Sequence, residues 1–541
     1  MTPAAYRRLD QALVAVILVC ANLALLATAP VSGDFWWSDA PRHALNGAFV
    51  KDFITAAPWH DPKIWAINYY LKYPALTILF YPPLLYGFEA VGYALFGVSH
   101  LVAQATVSLF SMVLGAAAYG LVRLNFPRWS ALGASLLVIG GPETAFWSRQ
   151  VMLDVPAYAA VVTGVFFFVR YLHAERPLHL YLAVIATLAA VYIKISAIFI
   201  VPVLAVALVA INGPGVLRQR HVVAAAILGV LGLLPALLLT LKFGAINVES
   251  VAGRSTDLPR TSIAAWLFYA KAIPQYLGYV ATALAVCGLA LVVLRRPAPL
   301  EPWFAWLLVG WLAFGYLFFS AIGVREPRHG MMIGFPLAVL AVLAIHRVLP
   351  RGIAPAAVAG LGIAVFLYSL LLYPPPRIEG YAEIADYVAH HAPKNAVVLF
   401  SGYRDGNFVF DLRTHEGRRD ISTIRADKLL LRIAVERVRG VAQADLDEKQ
   451  IADALHEYGV GLIVFQPDFW TDLREMGRLS AVVHTPDFER IASFDITGTV
   501  PHIDHKIEIY KPTYPVEQAR RVLQLQMPII GESFKGNIGP H

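Results

Sequence analysis

Ala75-Leu-Thr-Ile-Leu-Phe-Tyr-Pro-Pro-Leu-Leu-Tyr-Gly-Phe-Glu-Ala-Val-Gly-Tyr-Ala-Leu-Phe-Gly97 is apolar enough for a membrane span, yet its composition argues against crossing. Pro82 and Pro83 sit near its start, Glu89 in its middle, and glycine at positions 87, 92 and 97. A proline removes a backbone donor, and lipid offers no substitute partner for the groups it frees. The stretch therefore reads as an interfacial or re-entrant helix on the outer face, with Glu89 on its polar side. That single reading fixes the side of every loop that follows.

The rest of the chain supplies the spans. It has 541 residues, 58% hydrophobic and 15% charged, with a mean hydropathy of +0.59. Those values describe a polytopic membrane protein and exclude a soluble enzyme. Apolar segments other than 75–97 fall at about 11–30, 101–122, 130–147, 155–172, 178–193, 195–211, 221–241, 276–294, 303–323, 330–346 and 353–373, each near the length that crosses a bilayer. The expected fold is a polytopic α-helical membrane protein with about 11 transmembrane helices. Interfacial helices lie in a first outer loop at 31–100, and residues 1–376 form the membrane domain. With 75–97 kept out of the count, Arg7/Arg8, Arg123/Arg128, Arg170/Arg176, Arg218/Arg220, Arg295/Arg296 and Arg347/Arg351 all face the cytoplasm. Pairs of arginine in the inner loops are the expected orienting signal. The N-terminus is then cytoplasmic and the C-terminal domain outside. The net charge of +7 follows from those loops and gives no basis for nucleic-acid binding. Cys20 and Cys287 both lie in apolar spans, so no disulfide framework or cysteine metal site is expected. The first span reads as an uncleaved anchor, because no small-residue cleavage site precedes Trp36-Trp37.

Residues 377–541 read as a soluble α/β domain outside the membrane. Tyr381–His390 has helical spacing, Ala396–Phe400 is a short apolar strand ending at Ser401-Gly402, Glu448–Tyr458 is helical, and Gly461–Phe465 is a second strand. This alternation predicts a partly parallel sheet. Lys506–Tyr510 alternates and reads as an edge strand. The tail from about 515 is polar and proline-bearing, and reads as poorly ordered or draped over a surface.

Charged residues at the edge of hydrocarbon are costly and need a reason. Asp39, in Phe35-Trp-Trp-Ser-Asp-Ala-Pro-Arg-His-Ala44, and Asp154, in Trp147-Ser-Arg-Gln-Val-Met-Leu-Asp154, are two such carboxylates, each with an arginine nearby (Arg42, Arg149). The topology places both on the outer side, together with Arg149, Lys194, Arg325 and Arg328, which suit an anionic ligand. Plainer readings stand beside these. Asp39 before Pro41, and Asp154 before Val155-Pro156, fit helix N-caps. Lys194 can snorkel to the interface. Arg325, Glu326 and Arg328 can form a surface charge cluster of little energetic weight. Arg42-His43 can be a solvated helix face, and Trp36, Trp37 and Trp59 an interfacial aromatic belt.

In their order and membrane placement these residues resemble the glycosyltransferase C superfamily, closest to bacterial relatives of protein O-mannosyltransferases and of the lipid A aminoarabinose transferase. The resemblance rests on Asp39 with Arg42-His43, on Tyr81-Pro82-Pro83-Leu84 opening the interfacial helix, on Ser148-Arg149 with Asp154, on Lys194, and on Arg328-His329. The chain departs from the pattern at Ala40, where a Glu is usual, at Tyr81, where a His or Lys is usual, and at Ile195, where a Gly follows the Lys. Lys72, just before Tyr73-Pro74, is placed to supply the cation missing at Tyr81. The resemblance implies an integral-membrane enzyme of the bacterial inner membrane. It would take a sugar from a polyprenyl-phosphate carrier and pass it to a glycan, lipid or protein acceptor on the outer face. Asp39 would be the general base, with Asp154 orienting the acceptor. Lys194, Arg325, Arg328 and Arg149 would bind the donor phosphate. Arg42, His43, Lys72 and Tyr81 would line the acceptor side. One inverting displacement is implied. Asp39 and Asp154 with a phosphate oxygen could hold Mg²⁺ or Mn²⁺, a role weakened by the absent Glu. A transporter or flippase of lipid-linked glycans would instead place charges within several spans, whereas here they sit at span ends. A non-catalytic scaffold leaves the placement of Asp39, Asp154 and Lys194 unexplained.

Overall fold

The computed structural model describes residues 3–245, 248–249, 258–433, 440–517, 521–527 and 530–538. The side chains of residues 3–10, Arg7 and Arg8 among them, lie outside the described residues, as do parts of the tail. The chain divides into two compact units. One comprises Met1–Ala29, Tyr81–Leu85 and Gln104–Pro375; the other comprises Pro30–Phe80, Tyr86–Ala103 and Pro376–His541.

The first unit is helical. Among the described residues seven helices are long and apolar enough to cross a membrane, including His100–Val122, Asp154–Ala174, Arg220–Phe243, Pro302–Ala321 and Ala354–Leu372. At about 1.5 Å per residue, a 20-residue helix matches the roughly 30 Å hydrocarbon layer. Pro177–Ile193 and Arg128–Gly140 are shorter apolar helices, as is Leu84–Phe96, most of which belongs to the second unit. The 13 residues of Leu84–Phe96 cover only about 20 Å, short of that layer, and they begin directly after Pro82-Pro83. The chain is a multi-pass membrane protein.

One segment differs from its expected form. Residues 276–294 are not a single straight span. Helices Ile263–Leu277 and Tyr279–Val293 meet at a 116° bend. Gly278 sits at the corner with φ +79°, a conformation that residues with a Cβ avoid. The first of the two helices is started by Ser262, whose hydroxyl accepts from the Ala265 N–H, a regular N-cap.

The second unit is mixed. Its five-stranded sheet has the order Ser422–Arg425, Val397–Ser401, Val460–Phe465, Lys506–Pro512, Phe488–Asp495. The first three strands run parallel and the last two pairings are antiparallel. The helices Tyr381–His391 and Glu448–Glu457 match their expected positions; the latter opens with a capping box between Asp447 and Gln450. Two expectations fail. Lys506–Pro512 is an interior strand, with every residue from Ile507 to Tyr510 buried, and the edges are Ser422–Arg425 and Phe488–Asp495. The described part of the tail is a regular antiparallel hairpin, Arg521–Met527 with Glu532–Ile538. It packs on the helix Pro62–Lys72, and the Tyr70 hydroxyl donates to the Gln526 carbonyl at 2.5 Å.

The loop after the first span belongs to this unit and is bound into it by buried charge. Asp52, 2% exposed, takes two bonds from Arg413 at 2.6 and 2.8 Å and one from the Tyr69 hydroxyl at 2.9 Å. Arg42 grips Asp405 with 2.9 and 3.0 Å contacts, and Arg425 reaches the same carboxylate at 2.6 Å. Asp34 starts the helix Tyr381–His391 by accepting from the Tyr381 and Ala382 N–H groups at 2.7 and 2.9 Å. Glu89 is fully buried, and so is not the polar side of an interfacial helix. Gly47 makes room for it: a Cβ there would lie 2.5 Å from the Glu89 carboxylate.

Asp34 has a second neighbour, Asp411, close enough to share a proton. Burial pushes Asp34 up to about 6, and burial plus the Asp34 charge raise Asp411 well above the carboxylate range. The folded pair therefore keeps a proton that the unfolded chain releases near pH 4. Its stabilisation is complete below that pH and is lost as pH rises through about 6. Asp411→Asn supplies the donor without the proton. In the full chain the unfolding temperature is expected to fall from pH 5 to pH 8, and Asp411→Asn to flatten that fall. An identical slope in the variant would show that the pair holds no extra proton.

Candidate functional site

Charge in the helical unit gathers where helices end. Asp154 is the first residue of Asp154–Ala174 and does not cap it. Its carboxylate instead meets Lys194 Nζ at 2.5 Å. Lys194 sits at a break: the helix Pro177–Ile193 stops, Lys194 is extended (φ −145°, ψ 118°), and a 3₁₀ turn, Ile195–Phe199, follows. Each charge is at the helix end that suits it, the carboxylate at an N-terminus and the ammonium at a C-terminus. Both side chains are largely buried, at 3% and 14% exposure, so the pair is sheltered from solvent screening.

A second cation approaches from a short helix, Pro327–Gly330. Arg328 stacks over the Trp147 ring at 4.8 Å and pairs with Glu326 at 2.6 Å. Both Arg328 and His329 lie within electrostatic range of Asp154. The position of this short helix has identifiable causes. The Tyr276 hydroxyl, two residues before the Gly278 bend, donates to the Pro327 carbonyl at 2.9 Å. At Gly330 a Cβ would fall 2.5 Å from Tyr269 and 2.7 Å from the Tyr276 hydroxyl. Beneath Arg328, Trp147 is held by its own indole N–H, which donates to Glu143 at 2.7 Å.

The other two arginines are engaged by main chain. Arg149, fully buried, donates to the carbonyls of Ala145, Ser369 and Tyr373 at 2.9, 3.1 and 2.7 Å. Arg325 donates to those of Leu258, Gly323 and Ser320 at 2.9, 3.2 and 3.1 Å. Each ties separate segments of the unit together. Part of each guanidinium is left over: Arg149 Nη1 and Arg325 Nε are buried with no hydrogen-bond partner among the described residues.

In the mixed unit Asp39 precedes the helix Ala40–Ala56, with Pro41 in its first turn. The side chain makes no capping bond, and the half-buried carboxylate has no hydrogen-bond or ion-pair partner among the described residues. The cap reading therefore lacks its defining contact. Arg42 is held by Asp405, as above. His43 is buried and its Nδ1 lies 2.9 Å from the Tyr86 hydroxyl, so neither is a solvated face. Lys72 donates to the Arg419 carbonyl, and Tyr81 is a residue of the helical unit. Glu143, Trp147 and Tyr276 were not singled out from the sequence. The E-x-x-x-W spacing of Glu143 and Trp147 was the available signal, since i, i+4 residues meet on a helix. Among the described residues no three of His, Cys, Asp and Glu converge as a metal site, and the Asp154 carboxylate already has Lys194.

Comparison with known proteins bears on this arrangement. Residues 81–239 match the family described as dolichyl-phosphate-mannose-protein mannosyltransferase. ArnT from Cupriavidus metallidurans, solved bound to undecaprenyl phosphate, superposes with a TM-score of 0.63 over 92% of this chain and 97% of its own, at 15% identity. This is a glycosyltransferase C fold. AglB, the oligosaccharyltransferase of Archaeoglobus fulgidus, solved with an inhibitory peptide and a dolichol-phosphate, gives a TM-score of 0.52 over 86% of this chain and 70% of its own, at 13% identity. The mycobacterial arabinofuranosyltransferase AftD gives 0.53 over 94% and 40%, at 14% identity. No curated protein matches the chain by sequence. The glycosyltransferase C resemblance read from the motifs thus stands at the level of fold, and a short family match overlaps Asp154 and Lys194.

Removing one partner of a buried ion pair strands the other, at a cost of roughly 3–5 kcal/mol. Lys194→Met should lower the unfolding temperature of the detergent-solubilised protein, and adding Asp154→Asn should restore most of it. Equal stability in wild type and Lys194→Met would show that the pair is not formed.

Proposed function

We propose that the chain is an integral-membrane glycosyltransferase that moves a sugar from a polyprenyl-phosphate carrier to an acceptor on the outer face of the membrane. The observation that carries this reading is the buried Asp154–Lys194 pair with Arg328 beside it, on a fold whose solved example holds undecaprenyl phosphate. Two cations in a sheltered site suit a lipid phosphate whose charge grows as it leaves.

In the proposed reaction the acceptor oxygen or nitrogen attacks the anomeric carbon as the bond from that carbon to the carrier phosphate breaks. The phosphate leaves with the electron pair, and the acceptor proton passes to Asp39. One displacement inverts the anomeric centre. Asp39 suits a general base because nothing among the described residues occupies its carboxylate. Lys194 and Arg328 take the phosphate, and Asp154 positions Lys194. Arg149 and Arg325 hold main-chain carbonyls with part of each guanidinium and offer the phosphate Arg149 Nη1 and Arg325 Nε, which have no hydrogen-bond partner among the described residues. Arg42, His43 and Tyr86 set the start of the helix that follows Asp39. No step is assigned to Mg²⁺ or Mn²⁺, since the described residues do not converge on a metal.

The reading carries the topology with it: eleven crossings, the N-terminus in the cytoplasm, residues 377–541 outside, in a bacterial inner membrane. Arginine pairs in the inner loops support that orientation.

The test is mass spectrometry of membrane lipids and envelope glycans from cells making wild-type chain or Asp39→Asn. Loss of a general base costs about 10²–10⁴-fold in rate. A polyprenyl-phosphate sugar should therefore accumulate in the variant while one envelope component loses the same sugar. Matching profiles, with both proteins folded and present in equal amount, would refute the reading.

A further inference from the structure

The mixed unit contains a cavity of about 190 Å³ that the reaction just described does not use. One wall is a single face of the helix Pro62–Lys72. Trp65, Asn68, Tyr69 and Lys72 recur there at i, i+3, i+4 and i+7, the spacing that aligns side chains on one side of a helix. Tyr73 follows directly. The aromatic members form a continuous surface, with Trp65 5.2 Å from Tyr69 and Tyr69 4.9 Å from Tyr73, centroid to centroid. Trp65 and Tyr69 also pack on Phe49 and Phe53 of the preceding helix, with ring centroids 5.1–5.6 Å apart, and beside them the same face brings an amide and an ammonium to the cavity.

The opposite wall is mostly polar. It consists of Arg419, Ser422 at the start of an edge strand, and Asn537 of the C-terminal hairpin, with Ile538 as its one apolar member. The side chains of Asn68, Ser422 and Asn537 have no hydrogen-bond partner among the described residues, so their donors and acceptors are open to the cavity.

The local charge is positive. Asp52 is already matched by Arg413 and the Tyr69 hydroxyl. Arg419 adds a second guanidinium to the same carboxylate at 3.0 Å. Lys72 then adds an ammonium, bonded to the Arg419 carbonyl. Two further acids lie nearby: Glu416 is exposed and shared among Lys51 at 2.9 Å, Arg413 at 3.2 Å and Arg419 at 3.8 Å, and Asp420, within electrostatic range of Lys72, is paired with Arg418 at 3.1 Å. Burial, followed by the Arg419 charge, brings the Lys72 ammonium down to about 8, with Asp420 and Asp52 pulling the other way.

Aromatic faces, uncommitted amides and a hydroxyl suit the apolar face and hydroxyl rim of a sugar ring, and two cations suit an anionic substituent. The volume is below the roughly 300–1,000 Å³ of cavities that take drug-sized ligands, which restricts the occupant to about one ring. We propose that this cavity binds one acidic sugar residue, a hexose-sized ring carrying a carboxylate or a phosphate. The proposal deepens the transferase reading by naming a feature of the acceptor glycan, and only that link to the acceptor rests on the transferase reading.

Binding is measured on the full chain in detergent, by calorimetric titration with galacturonate, glucose 6-phosphate, glucose and inorganic phosphate. The titrations are repeated in Asp39→Asn, so that binding is tested separately from turnover. At least one acidic sugar should bind about tenfold or more tightly than both glucose and phosphate, a difference of about 1.4 kcal/mol. Which of the two wins names the anionic group. Lys72→Met and Arg419→Gln should each reduce that affinity by about tenfold or more, with unchanged unfolding temperature, and Asp39→Asn should leave it intact. Arg419, 41% exposed, can be replaced with little risk to the fold if Lys72→Met proves unstable. Equal binding of glucose, equal binding of phosphate, indifference to both variants, or no binding of any probe would each overturn the proposal. Such a result beside lost turnover in Asp39→Asn would leave the transferase reading standing.

Discussion

An ammonium and a carboxylate in contact, shielded from water, organise the polar end of the helical unit. Asp154 and Lys194 belong to different helices, and neither helix end has an obvious reason to stop where it does apart from the other. A carboxylate at a helix N-terminus and an ammonium at a helix C-terminus are each favoured by the partial charge of the backbone. Their attraction is strong because solvent is excluded, and the same exclusion makes either one alone expensive. Much else at this end follows from keeping the pair sheltered: the short helix with Arg328, the Trp147 platform beneath it, and Tyr276 held by the corner at Gly278.

The mixed unit solves a different problem. A loop between membrane helices would have little reason to hold one conformation, but this one is bound by buried acids to the C-terminal fold. Asp34, Asp52 and Asp405 each join residues more than three hundred positions apart in sequence. Such links have high closure entropy, which grows only slowly with loop length, so a few strong charge-assisted bonds suffice. The arrangement gives the segment carrying Asp39 a rigid support while leaving that carboxylate uncommitted.

Much of this was legible in the sequence, and the exceptions have common causes. Periodicity and apolar length located the long helices, because lipid enforces them. Strands Val397–Ser401 and Val460–Phe465 were visible as short apolar runs bounded by turns. The interior place of Lys506–Pro512 was not, since alternation marks a strand without saying which neighbours it has. The tail hairpin, with Gln524, Gln526, Ser533 and Asn537 among its residues, looks polar in composition, and its order comes from the helix it packs on. The corner at 278 was hidden inside an apolar run, with a lone glycine as its only mark. At the candidate site the sequence could not show which arginines hold main-chain carbonyls, because residue type and placement are the same whether or not they do. Arg149 and Arg325 hold carbonyls that only the fold brings to them, and Glu143, Trp147 and Tyr276 carried no charge pattern that set them apart.

The close approach of Gly47 to Glu89 has a consequence beyond stability. The helix Ala40–Ala56 can lie where it does only because position 47 lacks a side chain, and the space that glycine vacates is filled by a carboxyl group with no hydrogen-bond partner among the described residues. Neither residue can drift alone through evolution: a larger residue at 47 demands a smaller one at 89, and an alanine or serine at 89 opens a hole that only a change at 47 can close. Across related chains these two positions should therefore vary as a unit, a signature of shared space rather than of shared chemistry.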